Sequence, residues 1–142
     1  MEIKIYKNLP TEAKKIRTAV FIEEQKFKCE FDGIDDLSRH LVVFDGDLPV
    51  ATCRFFTRIK DGKAVHIIGR IAVIKEYRGR NIGSLLLDGA EREIIEEGGK
   101  EVFVHSQCAA KDFYEKNGYT QVGDTDFDED CPHIWMIKQL IK

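Results

Sequence analysis

The chain has no apolar run approaching the roughly 20 residues that a membrane-spanning helix needs. Its first residues, Met1-Glu2-Ile3-Lys4-Ile5-Tyr6, lack the apolar block and small-residue cleavage site of a secretory signal and instead alternate like a strand. There is no excess of basic charge: the formal net charge is −3, which argues against broad binding to nucleic acid or to an acidic membrane, both of which need a basic face. Cysteine is sparse. Cys29, Cys53, Cys108 and Cys131 stand far apart, with no C-x-x-C pair, so the sequence predicts reduced, partly buried residues rather than a disulfide framework or a zinc site. His40, His66, His105 and His133 show no metal-ligand spacing either. No internal repeat, low-complexity tract or linker interrupts the chain. Together these absences predict a soluble, cytoplasmic protein without a bound metal.

What is present suits one domain spanning residues 1–142, with 43% apolar and 33% charged residues, a balance that excludes a disordered chain. Residues 2–6 read as a strand. Pro10-Thr11-Glu12 opens a helix with Ile16, Val20 and Phe21 on one face. Residues 28–39 are polar and acidic, and read as a loop or short helical turn. Strands at 40–45, 49–58 and 63–74 are joined by Asp45-Gly46-Asp47 and Asp61-Gly62, predicting an antiparallel meander. A helix over 82–97 presents Leu86, Leu87, Ala90 and Ile94 on one side and stops at Gly98-Gly99. A short strand at 101–106, a helix at 109–117, an acidic loop from Asp124 to Asp130 and a final strand at 133–140 complete the reading. Residues 70–106 thus form a β-α-β unit, which favours parallel neighbours, and the fold class is α+β with a mixed sheet.

The stretch YRGRNIGSLLL, residues 77–87, carries the most distinctive chemistry. Two arginines, two glycines and an asparagine precede a helix, whose first turn offers free N–H groups and partial positive charge. Gly79, Asn81 and Gly83 permit left-handed backbone or close approach of a ligand. The combination reads as an anion cradle for phosphate or pyrophosphate. A solvated loop before an ordinary helix is the plainer alternative. Neither the G-x-x-x-x-G-K-[ST] nor the G-x-G-x-x-G pattern occurs, which argues against a kinase, a GTPase or an ordinary dehydrogenase.

RIAVIKEYRGRNIGSLLL followed by FVHSQCAAKDFYEKNGY resembles the GNAT superfamily of N-acetyltransferases, from about Arg70 to Tyr119. The N-terminal features Phe21-Ile22-Glu23-Glu24-Gln25, Glu30 to Asp36 and His40, with the late Pro132-His133, resemble a bacterial branch of it. The family's cofactor motif, Q/R-x-x-G-x-G/A, is matched by Arg78-Gly79-Arg80-Asn81-Ile82-Gly83, with Asn81 in place of the middle glycine. The resemblance implies a twisted, mostly antiparallel sheet of six to seven strands flanked by about four helices. It implies acetyl-CoA as co-substrate, bound by Arg78, Gly79, Arg80, Asn81, Ile82, Gly83 and Ser84, with N–H groups from about Arg80 to Ser84 holding its pyrophosphate. The pantetheine arm would lie along Ile71, Ala72 and Val73. Tyr114 matches the tyrosine that protonates the departing thiolate in many members; its plainer reading is a packing aromatic. An oxyanion donor is expected near Ala72 or Val73, where the family carries a bulge.

Acyl transfer to an amine also needs a base. Glu24, Asp32, Asp36, His66, His105 and His133 are available, and Glu24 and His133 are put forward. His66 and Arg70 fall on one strand face and could line the acceptor cleft. The acidic segments could attract a cationic amine. Cys108 reads as a packing residue and not as an acyl carrier. The expected acceptor is a small-molecule or peptide amine; monomer and homodimer are both open. An acyl-CoA-binding sensor without turnover is the competing reading.

Overall fold

In the computed structural model, residues 1–26, 31–128 and 131–140 are described. Seven strands form one sheet in the order β1-β2-β3-β4-β5-β7-β6. They are β1 (Glu2–Tyr6), β2 (Arg39–Asp45), β3 (Leu48–Lys60), β4 (Lys63–Val73), β5 (Glu101–Gln107), β6 (Thr120–Asp128) and β7 (Cys131–Gln139). All neighbours are antiparallel except β4 and β5. The described residues include three α-helices, α1 (Thr11–Arg17), α2 (Ile82–Glu96) and α3 (Lys111–Lys116). A π-helical segment, Thr18–Glu24, continues α1.

Strand alternation decides which helix covers which face. Leu41 and Val43 of β2, with Cys53, Phe55, Ile68, Val102, Val104, Ile134 and Met136, face Leu86, Leu87, Ala90 and Ile94 of α2. Val42 and Phe44, with Ala72, face Ala13, Ile16, Val20 and Phe21 of α1 and its π-helical extension. The meander β2-β3-β4 and the β4-α2-β5 crossover are as the sequence predicts.

Two expectations fail. The acidic loop expected from Asp124 is strand through Asp128, part of β6. Gly and Asp disfavour strands in general, but this one is an edge strand. It is held by backbone pairing to β7, with a register shift between Val122 and Asp126 and Gly123 at φ 80°. Glu129 and Asp130 lie outside the described residues. His66 and Arg70 do not share a face. The β3/β4 register shifts so that Arg70 and Ile71 stand opposite Cys53 alone, and Arg70 adopts φ 52°. This bulge turns Arg70 toward Asp32, at 3.5 Å, while His66 bonds Thr57 Oγ1 at 2.9 Å and packs beside Gly99.

Candidate active site

Strands β4 and β5 pair only at Ile67–Phe103 and Ile68–Val104. Beyond that rung they part, and the bulge at Arg70 and Ile71 helps to splay them. The outcome is a cavity of about 620 Å³. Its walls bring together Ile71, Ala72 and Val73 from the end of β4, the loop and first turn of α2, and Tyr114 from α3. Of the residues expected at a cofactor site, Arg78, Gly79, Asn81, Ile82, Gly83 and Ser84 line it. Asn81 is the N-cap of α2 at φ 61°, ψ 21°, in the left-handed region, and Gly79 has φ 80°. Asparagine tolerates that region better than most side chains, so the backbone path survives the replaced glycine. No side chain caps α2, which leaves its first-turn amides available to an anionic guest.

The arginine side chains are otherwise engaged. Arg78 donates to both carboxylate oxygens of Glu24, at 2.6 and 2.7 Å, and through Nε to the Val73 carbonyl at 3.0 Å. It therefore straps the π-helical segment to the end of β4, and its hydrogen bonds hold the Glu24 carboxyl below the usual range. Arg80 stacks over the Tyr77 ring at 4.7 Å, and Tyr77 in turn donates to Asp45 at 2.6 Å. The cradle is thus mainly one of backbone amides.

Tyr114 is buried, packed edge-on against Phe113 (5.0 Å between ring centres) and Tyr119 (5.7 Å). Its hydroxyl has no hydrogen-bond partner among the described residues, and burial pushes its pKa up. It stays protonated throughout the working pH range. His133 lies on β7 opposite Gln107; its Nδ1 sits 2.9 Å from the Cys131 carbonyl and its ring 4.8 Å from that of His105. Gln107 donates to Gln25 at 2.7 Å, and Gln25 lines the cavity.

A charge cluster beside the bulge escaped the sequence reading. Asp35 receives Arg17 at 2.8 and 3.2 Å and Arg54 at 2.9 Å; Arg54 also reaches Asp32 at 2.7 Å. Asp32 caps the short 3-10 turn Gly33–Leu37 in a reciprocal capping box with Asp35. Burial works to raise the Asp35 carboxyl, but Arg17 and then Arg54 outweigh it and hold it low. The segment read as bait for a cationic amine therefore has two of its carboxylates already neutralised by arginines. The only signal in the sequence was the Asp32-x-x-Asp35 spacing.

Cys53 is buried and free, Cys108 is half-buried and free, and Cys131 is half-buried; Cys29 and Glu30 lie outside the described residues. No group of metal-ligating side chains occurs among the described residues, and no helix among them is long and apolar enough to cross a membrane.

The split strands, the uncapped helix and the buried tyrosine are the arrangement expected of an acyltransferase, and the acetyltransferase (GNAT) domain family matches the chain over residues 10–140. The protein belongs to that family. It is 32% identical over 126 residues to YjcF of Bacillus subtilis, named an uncharacterized N-acetyltransferase, covering 87% of each chain. The crystal structure of Escherichia coli ElaA superposes with a TM-score of 0.84 at 26% identity, over 98% of this chain and 100% of that one. An aminoglycoside 6'-N-acetyltransferase complexed with coenzyme A shares the fold, with a TM-score of 0.77 at 18% identity, over 100% of this chain and 98% of that one.

Proposed function

We propose that this protein is an acetyl-CoA-dependent N-acetyltransferase, a single catalytic domain that acetylates a primary amine of a small molecule or peptide. The observation that carries the reading is the shared cavity: the divergent end of β4, the uncapped start of α2 and Tyr114 line one space. In this reading the pyrophosphate takes the amides of the first turn of α2. The pantetheine amides pair with the edge of β4 at Ile71 to Val73, which β5 has vacated. The thioester carbonyl then lies by the bulge, where a backbone N–H stabilises the oxyanion. The amine attacks directly, and Tyr114 gives its proton to the leaving sulfur. Of the two bases put forward, Glu24 is poorly suited, since Arg78 lowers its affinity for a proton. His133 holds Nδ1 at 2.9 Å from the Cys131 carbonyl, with its ring 4.8 Å from that of His105.

The test has two stages. Coenzyme A at 100 times its Kd should stabilise the protein by about 2.7 kcal/mol in thermal unfolding; no stabilisation at millimolar concentration defeats the reading. Acetyl-CoA with a panel of primary amines should release free thiol. Binding without release from any amine leaves the sensor and sinks the transferase.

A further inference from the structure

We infer that His105 is the general base of the acetyl transfer and that Asp126 positions it; the inference rests on the transferase reading above. On the sheet face that carries α1, His105 is the first side chain of β5 beyond the Ile67–Phe103 rung where β4 and β5 part. The next residue on that face is Gln107, about 7 Å further along the strand at 3.3–3.4 Å per residue. Gln107 is bonded to Gln25 on the cavity wall. His105 itself does not line the cavity; it stands one same-face residue before Gln107, at the edge of the split, where an acceptor amine entering beside Gln25 would pass. Helix α1 packs over β2, β3 and β4, which leaves His105 partly open, with 30% of its side chain exposed.

Three contacts hold the ring. Nε2 lies 2.7 Å from Asp126 Oδ1 on β6, the ring stacks on Trp135 of β7 at 4.5 Å and 20°, and His133 lies at 4.8 Å. Trp135 is itself backed by Arg58 at 5.8 Å. An ionised carboxylate only accepts, so Nε2 carries the hydrogen and Nδ1 presents a lone pair. Nδ1 has no hydrogen bond among the described residues, in contrast to Nδ1 of His133 and of His66, which are both engaged. Nδ1 takes one proton from the amine nitrogen as that nitrogen forms the C–N bond; the C–S bond breaks, and Tyr114 gives one proton to sulfur. Solvent then carries a proton from the imidazolium to the tyrosinate.

The experiment uses the full chain with acetyl-CoA and the amine panel. His105→Gln should lower kcat by at least ~10²-fold with coenzyme A affinity within about twofold of wild type, and should remove the acid limb of the kcat/KM profile. Asp126→Asn should lower kcat by about tenfold with little change in KM, and Asp126→Glu should restore part of it. Among the described residues, the charged or titratable groups about His105 are Asp126, His133 and, behind Trp135, Arg58; His133→Gln tests the rival base, and loss of the acid limb there with its retention in His105→Gln overturns the inference. Long-range proton–nitrogen NMR on the wild type should find His105 as the Nε2–H tautomer, and Asp126→Asn should disturb it. This measurement does not depend on how the variants fold. Wild-type turnover in His105→Gln, or an Nδ1–H tautomer, overturns the inference alone; a wild type that binds coenzyme A and acetylates nothing overturns the transferase reading and the base together.

Discussion

Gly83 has no room for a side chain: a Cβ there would lie 2.9 Å from the Phe113 ring. The glycine thus lets the start of α2 and helix α3 close on each other along the cavity wall. Gly83→Val should push Phe113 aside and reduce coenzyme A affinity at least tenfold by calorimetry, while circular dichroism still shows a folded protein. Tyr114→Phe removes only a hydroxyl that has no partner among the described residues. It should lower turnover by about 10²-fold or more and leave coenzyme A affinity unchanged; equal turnover removes the acid role. At this scale Asn81 was legible, because left-handed backbone needs glycine or its nearest substitute. The Arg78–Glu24 pair was not, since its partners stand 54 positions apart.

Among the elements, the short turn Gly33–Leu37 has the largest consequence for its size. It inserts Asp35 between Arg17 of α1 and Arg54 of β3, tying helix, turn and sheet together. Removing one partner of a buried ion pair strands the other charge. Asp35→Asn should therefore cost about 3–5 kcal/mol in chemical denaturation, and Asp32→Asn clearly less, because Asp32 is 36% exposed against 5% for Asp35. The helix over α2 was readable from its apolar period and its glycine stop. Its buried Glu91 was not: it accepts Tyr119 at 2.8 Å and Lys138 at 2.8 Å, so a charge sits on an otherwise apolar side. Strand β6 was misread for the opposite reason, since its pairing depends on β7 and not on its own acidic residues.

For the molecule as a whole, two buried groups set the response to acid. Burial lowers the His40 pKa, against its bond to the Asp35 carbonyl at 3.0 Å. The unfolded chain therefore takes up a proton at His40 before the folded one does, and stability falls as pH drops below roughly 6.5. Asp35, held low by Arg17 and Arg54 despite burial, adds a second loss as pH falls below about 3.9, where the unfolded carboxylate becomes protonated. Unfolding followed from pH 8 to pH 3 should show both phases, and His40→Gln, which keeps a donor, should flatten the first.

By itself the sequence determined the order of strands and helices apart from β6, the apolar faces of the two longer helical segments and the left-handed turn before α2. These depend on periodicity, glycine and helix-end chemistry within a few residues of one another. The tertiary structure decided what lies across the cleft: the bulge that turns Arg70 away from His66, the splitting of β4 from β5, and the meeting of His105 with Asp126. Those contacts join residues brought together by strand order and register, and the energy that selects them comes from pairing and burial that no local pattern contains.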